Sequence, residues 1–190
     1  MNSLPEHIRK KAESFAANVR ECFGESLRSV VLYGPAARGE DTKGTLLSFL
    51  AVVADNSPSA IAPCSGFIHR WTKDGIGTPL IITPDYIADS LDTFPLEFMG
   101  MRSAYVVVAG EDVLAGLEFA AKDVRSQCER ELKGKLIHLR AEYLTHRGSS
   151  KELANLVRRS LETFRLVFAG ALYLKGLPRS EERRVGKECR

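Results

Sequence analysis

Apolar residues recur at helical spacing near the start of the chain: Ile8, Ala12, Phe15, Val19 and Cys22 make one stripe within residues 5–23. This predicts an amphipathic helix, with Ser3 as a cap and Pro5 in the first turn. Residues 28–33 (RSVVLY) form a β-branched run that stops at Gly34, and residues 45–54 (TLLSFLAVVA) form a longer one. Both predict strands. In the second run Leu46, Ser48, Leu50 and Val52 share one face and Leu47, Phe49, Ala51 and Val53 the other, so nearly every position is apolar. A strand of that kind is buried on both sides, in the middle of a sheet. Ser57-Pro58 reads as a cap and first helical residue, and Ile61, Cys64, Ile68 and Trp71 continue the period to an expected stop before Gly75. Residues 79–83 (PLIIT) predict a third short strand, and Thr83-Pro84 opens a helix to about Leu91.

Residues 92–101 (DTFPLEFMGM) carry no clear period, and residues 104–109 (AYVVVA) predict a fourth strand ending at Gly110. From Glu111 onward the pattern is helical. Val124, Cys128, Leu132, Leu136, Leu139 and Tyr143 form one seam, expected to end at Gly148. Ser149 or Ser150 caps a last helix whose apolar face is Leu153, Val157, Phe164, Phe168, Ala171 and Leu174. Alternating strands and helices followed by helices alone predict an α/β or α+β fold, with residues 1–110 as the mixed domain and 111–178 as a helical region. Residues 179–190, containing SEERRVGKECR, shift abruptly to charge without hydrophobic period and resemble a translated sequencing-adapter frame. They are left out of the fold reasoning, and a natural chain continuing past Pro178 is expected.

The charge balance narrows the function classes. Against 27 Lys and Arg stand 24 Asp and Glu, a formal +3, too small for the electrostatic footprint of a nucleic-acid binder. No run approaches the roughly 20 apolar residues of a membrane span. The four cysteines, Cys22, Cys64, Cys128 and Cys189, lie far apart with no CxxC spacing, which argues against a zinc site or a disulfide scaffold and fits a reducing cytoplasm. His69 and His138 have no second histidine four residues on, and the basic residues of 122–147 alternate with Glu129, Glu131 and Glu142 as on a solvated helix face.

Residues 30–40 read VVLYGPAARGE: a hydrophobic strand, Gly34, a turn of small residues with Arg38 and Gly39, then a polar loop into the second strand. This resembles the signature of the DNA polymerase beta-like nucleotidyltransferase superfamily. PLIITPDYI, DTFPLEFMG, VVVAGEDVL and QCERELKGKLIHLRAEYL extend the similarity to a bacterial nucleotidyltransferase-like group, over about residues 27–143. The resemblance implies a mixed sheet flanked by helices with a helical C-terminal region, and a nucleoside triphosphate as ligand. In the family the strand ends in Gly-Ser, and a second strand carries Asp-x-Asp. Glycine lets the backbone approach the phosphates, amides and the serine hydroxyl hold them, and the two aspartates, on one face of the strand, hold Mg2+.

Several of those groups are replaced in this chain. Pro35 stands at the serine, and alignment through LAVV puts the aspartate positions at Leu46 and Ser48. Glu97 in FPLEF falls where the family's third carboxylate, carried on a later strand, is expected. The resemblance therefore implies Gly34, Ala36, Arg38 and Gly39 as nucleotide contacts, Glu97 as the remaining catalytic carboxylate, and no resident cofactor, with Mg2+ needed only if transfer survives. Each position also has a simpler reading: a tight connection that binds nothing for residues 34–39, and an ion pair or capping carboxylate for Glu97. Three functions stay open. The first is a degenerate nucleotidyltransferase with a binding or regulatory role. The second is an active enzyme moving a nucleoside monophosphate to a small-molecule or protein acceptor, with Asp41 rescuing the metal site. The third is an interaction module, self-associating or binding a protein through its C-terminal helices.

Overall fold

The computed structural model describes residues 4–40, 44–145 and 149–177. Ser3, Asp41, Gly148 and residues 179–190, all given roles above, lie outside them. The chain divides into two compact units, Met1–Ser90 with Met101–Leu117, and Leu91–Gly100 with Glu118–Arg190.

The first unit is built on a four-stranded mixed sheet. β1 (Leu27–Tyr33) and β2 (Ser48–Val53) occupy its centre, β3 (Leu80–Ile82) lies beside β2 and β4 (Tyr105–Gly110) beside β1. β1 runs antiparallel to both neighbours and β2 parallel to β3. The register pairs Val30 with Ala51 and Leu32 with Phe49, so these four share a face. Against that face packs α1 (Glu6–Phe23), which buries Ile8, Ala12, Phe15 and Val19 of the predicted stripe and leaves Cys22 half-buried; Pro5, expected in its first turn, stands just before it and makes no side-chain cap. Phe15 stacks on Phe49 with centroids 4.2 Å apart and meets Trp71 at 5.0 Å. Trp71 donates its indole N–H to Asn18 Oδ1 at 3.2 Å, satisfying two polar groups that burial would otherwise strand. Val31, Leu50 and Val52, on the opposite face, are also fully buried, as the two-sided apolar pattern of the second run requires.

β4 joins with a bulge. Val30 pairs with Ala109 and Val31 with Val107, leaving Val108 as the extra residue. Its last residue, Gly110, has φ 79°, and the Arg28 carbonyl lies where a Cβ would stand. Only glycine fits there.

Four sequence expectations need correction. First, the helix expected from Ser57 to Gly75 is three pieces: α2 (Pro58–Ile61), a 3-10 stretch (Ala62–Phe67) and α3 (Ile68–Lys73). Pro63, without an N–H and with a ring that opposes the preceding turn, breaks the α period. Cys64 and Trp71 remain buried while Ile61 and Ile68 turn outward. The Ser57 and Thr83 caps are made as expected, accepting from Ala60 N–H and Tyr86 N–H, and Thr83 opens α4 (Pro84–Ser90).

Second, residues 92–101 are irregular only at 92–94. Pro95–Ser103 is a helix, α5, with Leu96, Phe98, Met99 and Met101 buried. A helix apolar on nearly all sides has no polar face to reveal its period. Third, residues 111–120 are not helical: Asp112 Oδ1 accepts from Leu114 and Ala115 N–H, an aspartate turn that delays α6 to Ala121–Thr145.

Fourth, α7 (Ser150–Leu174), capped by Ser149 as expected, buries a different face from the one predicted. Ser160, Val167 and Ala169 are inside, whereas Val157 and Phe168 are 61% and 64% exposed. The second unit is held by the contact of α6 with α7 and by α5. At Gly170 a Cβ would fall 2.6 Å from both Cys128 Sγ and Leu96 Cδ2, so the glycine lets α7 approach closely. Among the described residues no helix is long and apolar enough to cross a membrane.

Candidate functional site

β1 ends at Tyr33, and the chain turns at Gly34, whose φ of 83° and ψ of −151° lie outside the range of side-chain-bearing residues. Pro35–Arg38 then makes a single 3-10 turn closed by Gly39 at φ 72°, ψ 18°. The turn satisfies most of its own polar groups. Gly34 N–H donates to Ala104 O at 3.1 Å, Ala37 N–H to Gly34 O at 3.1 Å, Gly39 N–H to Ala36 O at 3.2 Å and Glu40 N–H to Pro35 O at 3.1 Å. Pro35 removes a further donor. Ala36 is buried in the core and presents no side chain to a ligand.

Arg38 is held within this turn. Its Nε donates to Glu40 Oε1 at 2.6 Å and its Nη2 to Glu40 Oε2 at 3.4 Å, a two-pronged pair that occupies the guanidinium a phosphate would use. Across the sheet, Tyr33 pairs with Ser48 on β2 and with Tyr105 on β4, so the end of the central strand is lined by phenols and one hydroxyl. Burial pushes the Tyr33 phenol above its ordinary range. Burial also raises Tyr105, helped by the hydrogen bond its hydroxyl donates to Asp112 Oδ2 at 2.9 Å and by that carboxylate's charge, while Arg102 opposes the rise.

The two aspartate-equivalent positions do not form a matched pair. Ser48 is the first residue of β2 and half-buried, but Leu46, expected in the strand, precedes it and is 55% exposed beside Gly77. The strand shortens because Leu47 leaves β1 for an isolated bridge to Ile76, its N–H bonded to Gly75 O at 2.8 Å and its carbonyl to Gly77 N–H at 2.9 Å. Leucine offers no ligand atom and serine a weak one, so these residues do not fit Mg2+. Among the described residues no group of three or more His, Cys, Asp and Glu could hold a metal ion.

Glu97 is in helix α5 and not on a later strand, as the resemblance implied. It belongs to the second unit, whereas Gly34, Ala36, Arg38 and Gly39 belong to the first. Glu97 Oε2 accepts from Gln127 Nε2 at 2.7 Å, and Gln127 Oε1 accepts from Leu96 N–H at 2.8 Å. One buried carboxamide therefore holds the first turn of α5 at both a backbone donor and a carboxylate. Sequence reasoning passed over Gln127; its signal was its place beside Cys128 on the buried side of α6.

A groove lies within the helical unit. Lys135, His138, Leu139 and Glu142 of α6 and Leu156, Arg159 and Ser160 of α7 line a groove of about 230 Å3. Arg159 Nη2 donates to Glu142 Oε2 at 3.4 Å across it, and Ser160 Oγ donates back to Leu156 O at 2.9 Å. Neither a scan against protein-family models nor a search of curated proteins returns a match to this chain.

Proposed function

We propose that this chain is a nucleotidyltransferase-fold protein that has given up metal-dependent transfer and works through binding and regulation in the reducing cytoplasm. The family reading rests on the order of parts: a hydrophobic strand, Gly34 at positive φ, one short helical turn around Arg38, and an antiparallel second strand whose first residue pairs with the last of the first. The loss of transfer rests on one observation above the rest. Position 46 is an exposed leucine ahead of β2, so among the described residues no pair of carboxylates stands on one strand face. Two metal ions bridging the phosphates carry most of the charge stabilisation such a reaction needs. Cys22, Cys64 and Cys128 as free thiols fit a reducing compartment.

The test is incubation of the full chain with labelled nucleoside triphosphates, Mg2+ or Mn2+ and a panel of hydroxyl acceptors, beside calorimetric titration of the same nucleotides. No transfer is expected, and no binding that depends on the metal. Metal-dependent turnover that Glu97→Gln abolishes would overturn the reading.

A further inference from the structure

Within the first unit, α1 lies against the segment that runs from α2 through the 3-10 stretch to α3, and the two run antiparallel. Three contacts set the register. Lys11 Nζ stands 3.6 Å from where a Cβ on Gly75 would be. Four residues further along α1, Phe15 meets Trp71, which is four residues before Gly75, at a centroid distance of 5.0 Å. Asn18, on the next turn, takes the Trp71 indole N–H at 3.2 Å. Each step forward on α1 is thus matched by a step back on its neighbour. Two turns past Phe15 stands Cys22, and seven residues before Trp71 stands Cys64.

The register therefore brings the two thiols to the same level of the layer. Cys64 is 3% exposed within the core under α1, and Cys22, half-buried, packs against that core. Burial and the neighbouring Cys22 thiol push the Cys64 thiol up to about 12, so it keeps its proton at neutral pH and sits behind Cys22. A partly exposed sulfur backed by a second one is the arrangement of a reactive thiol with a resolving partner.

We infer that Cys22 and Cys64 are an oxidisable pair, which a hydroperoxide closes to an intrachain disulfide that locks the first unit. The Cys22 sulfur attacks the terminal peroxide oxygen and the O–O bond breaks. An alcohol, or water from hydrogen peroxide, leaves with the thiol proton, and Cys22 becomes a sulfenic acid. The Cys64 sulfur then attacks the Cys22 sulfur. The S–S bond forms, the S–O bond breaks, and the oxygen departs as water with the Cys64 proton. Two thiols give up two electrons and one peroxide takes them; a dithiol reductant reverses the step by exchange. The loop so closed runs from 22 to 64 and contains β1, the Gly34–Gly39 turn and β2, the two central strands of the sheet. Tying its ends removes open conformations from the unfolded chain.

The test is oxidation of the folded full chain with hydrogen peroxide, followed by alkylation and tryptic mapping. The four cysteines fall on separate tryptic peptides, with Cys22 in 21–28 and Cys64 in 44–70. These two are expected to be joined, two hydrogens lighter than their sum. The urea midpoint read by Trp71 fluorescence is expected to rise by on the order of 1 M and to return with dithiothreitol. Cys22→Ser and Cys64→Ser should each abolish the link and the rise, and Cys128→Ser should keep both. Should Cys64→Ser fail to fold, Cys22→Ser, at the half-buried position, decides. Any of four results would overturn the inference: Cys22 left reduced or carried on to sulfinic acid without a link, a bridge to Cys128 or Cys189 instead, a link made only in urea, or a linked chain whose midpoint does not rise.

Discussion

At the residue scale, the most consequential contacts are buried polar ones. Asn18 and Trp71 are both buried, and the indole N–H has Asn18 Oδ1 as its acceptor. Asn18→Ala leaves that donor stranded beside Phe15, so a loss of about 1–3 kcal/mol is expected in urea unfolding. Trp71 is the chain's single tryptophan, so its fluorescence reports the same site without ambiguity. The thiols offer a second test. Cys64 lies among the core residues under α1, and burial, with the neighbouring Cys22 thiol, pushes its pKa up to about 12 from 9.0. The folded state therefore keeps a proton that the unfolded chain releases near pH 9. The Cys64 contribution to stability is complete below about pH 9 and is lost as pH climbs toward 12. Denaturation midpoints followed from pH 7 to 11 should fall in this range, and Cys64→Ala should flatten part of the fall. Burial of Cys128, Tyr33 and Tyr105 raises them as well, so the remainder persists.

At the element scale, β2 decides what chemistry the first unit could support. Placing an acidic pair there, as Leu46→Asp with Ser48→Asp, is expected to produce neither Mg2+ binding by calorimetry nor nucleotide transfer, because residue 46 lies outside the strand whose alternation would align the two carboxylates. Tight Mg2+ binding by the double variant would contradict the shortened β2. The same element shows what the chain made legible. The four strands, α1, the Ser57 and Thr83 caps and the two-sided burial of β2 follow from β-branched runs, a clean helical stripe and capping chemistry. The end of β2 did not, since Leu46 and Leu47 look alike in the sequence and only the bridge to Ile76 separates them. α5 was hidden because its apolar residues crowd most of its sides and leave only Glu97, Arg102 and Ser103 to mark a period, and the α2–α3 break by a proline whose effect is local while the apolar spacing continues through it. On α7 both candidate faces carry apolar residues one position apart, and the small Ser160 and Gly170, which permit close approach, determine which one is buried. For the candidate site, the turn at Gly34–Gly39 was legible as a turn. The capture of Arg38 by Glu40 and of Glu97 by Gln127 was not, because both depend on distances that spacing does not encode.

At the scale of the whole molecule, the single tryptophan reports the first unit while α6 and α7 supply much of the helix in the second. Thermal unfolding followed by Trp71 fluorescence is therefore expected to report the first unit, and circular dichroism at 222 nm to weigh the helices of the second more heavily.

The interleaving of the two units along the chain governs how they can be made. Leu91–Gly100 belongs with the helices and Met101–Leu117 with the sheet, so no single cut yields either unit whole. On a ribosome, the sheet waits for β4, its last edge, until a piece of the other unit has already emerged, and that piece must in turn wait for α6 and its Gln127. Any scheme that expresses one half as an excised fragment would have to splice the chain once as well as trim it, joining residue 90 to 101 or residue 100 to 118, before the fragment had a complete core.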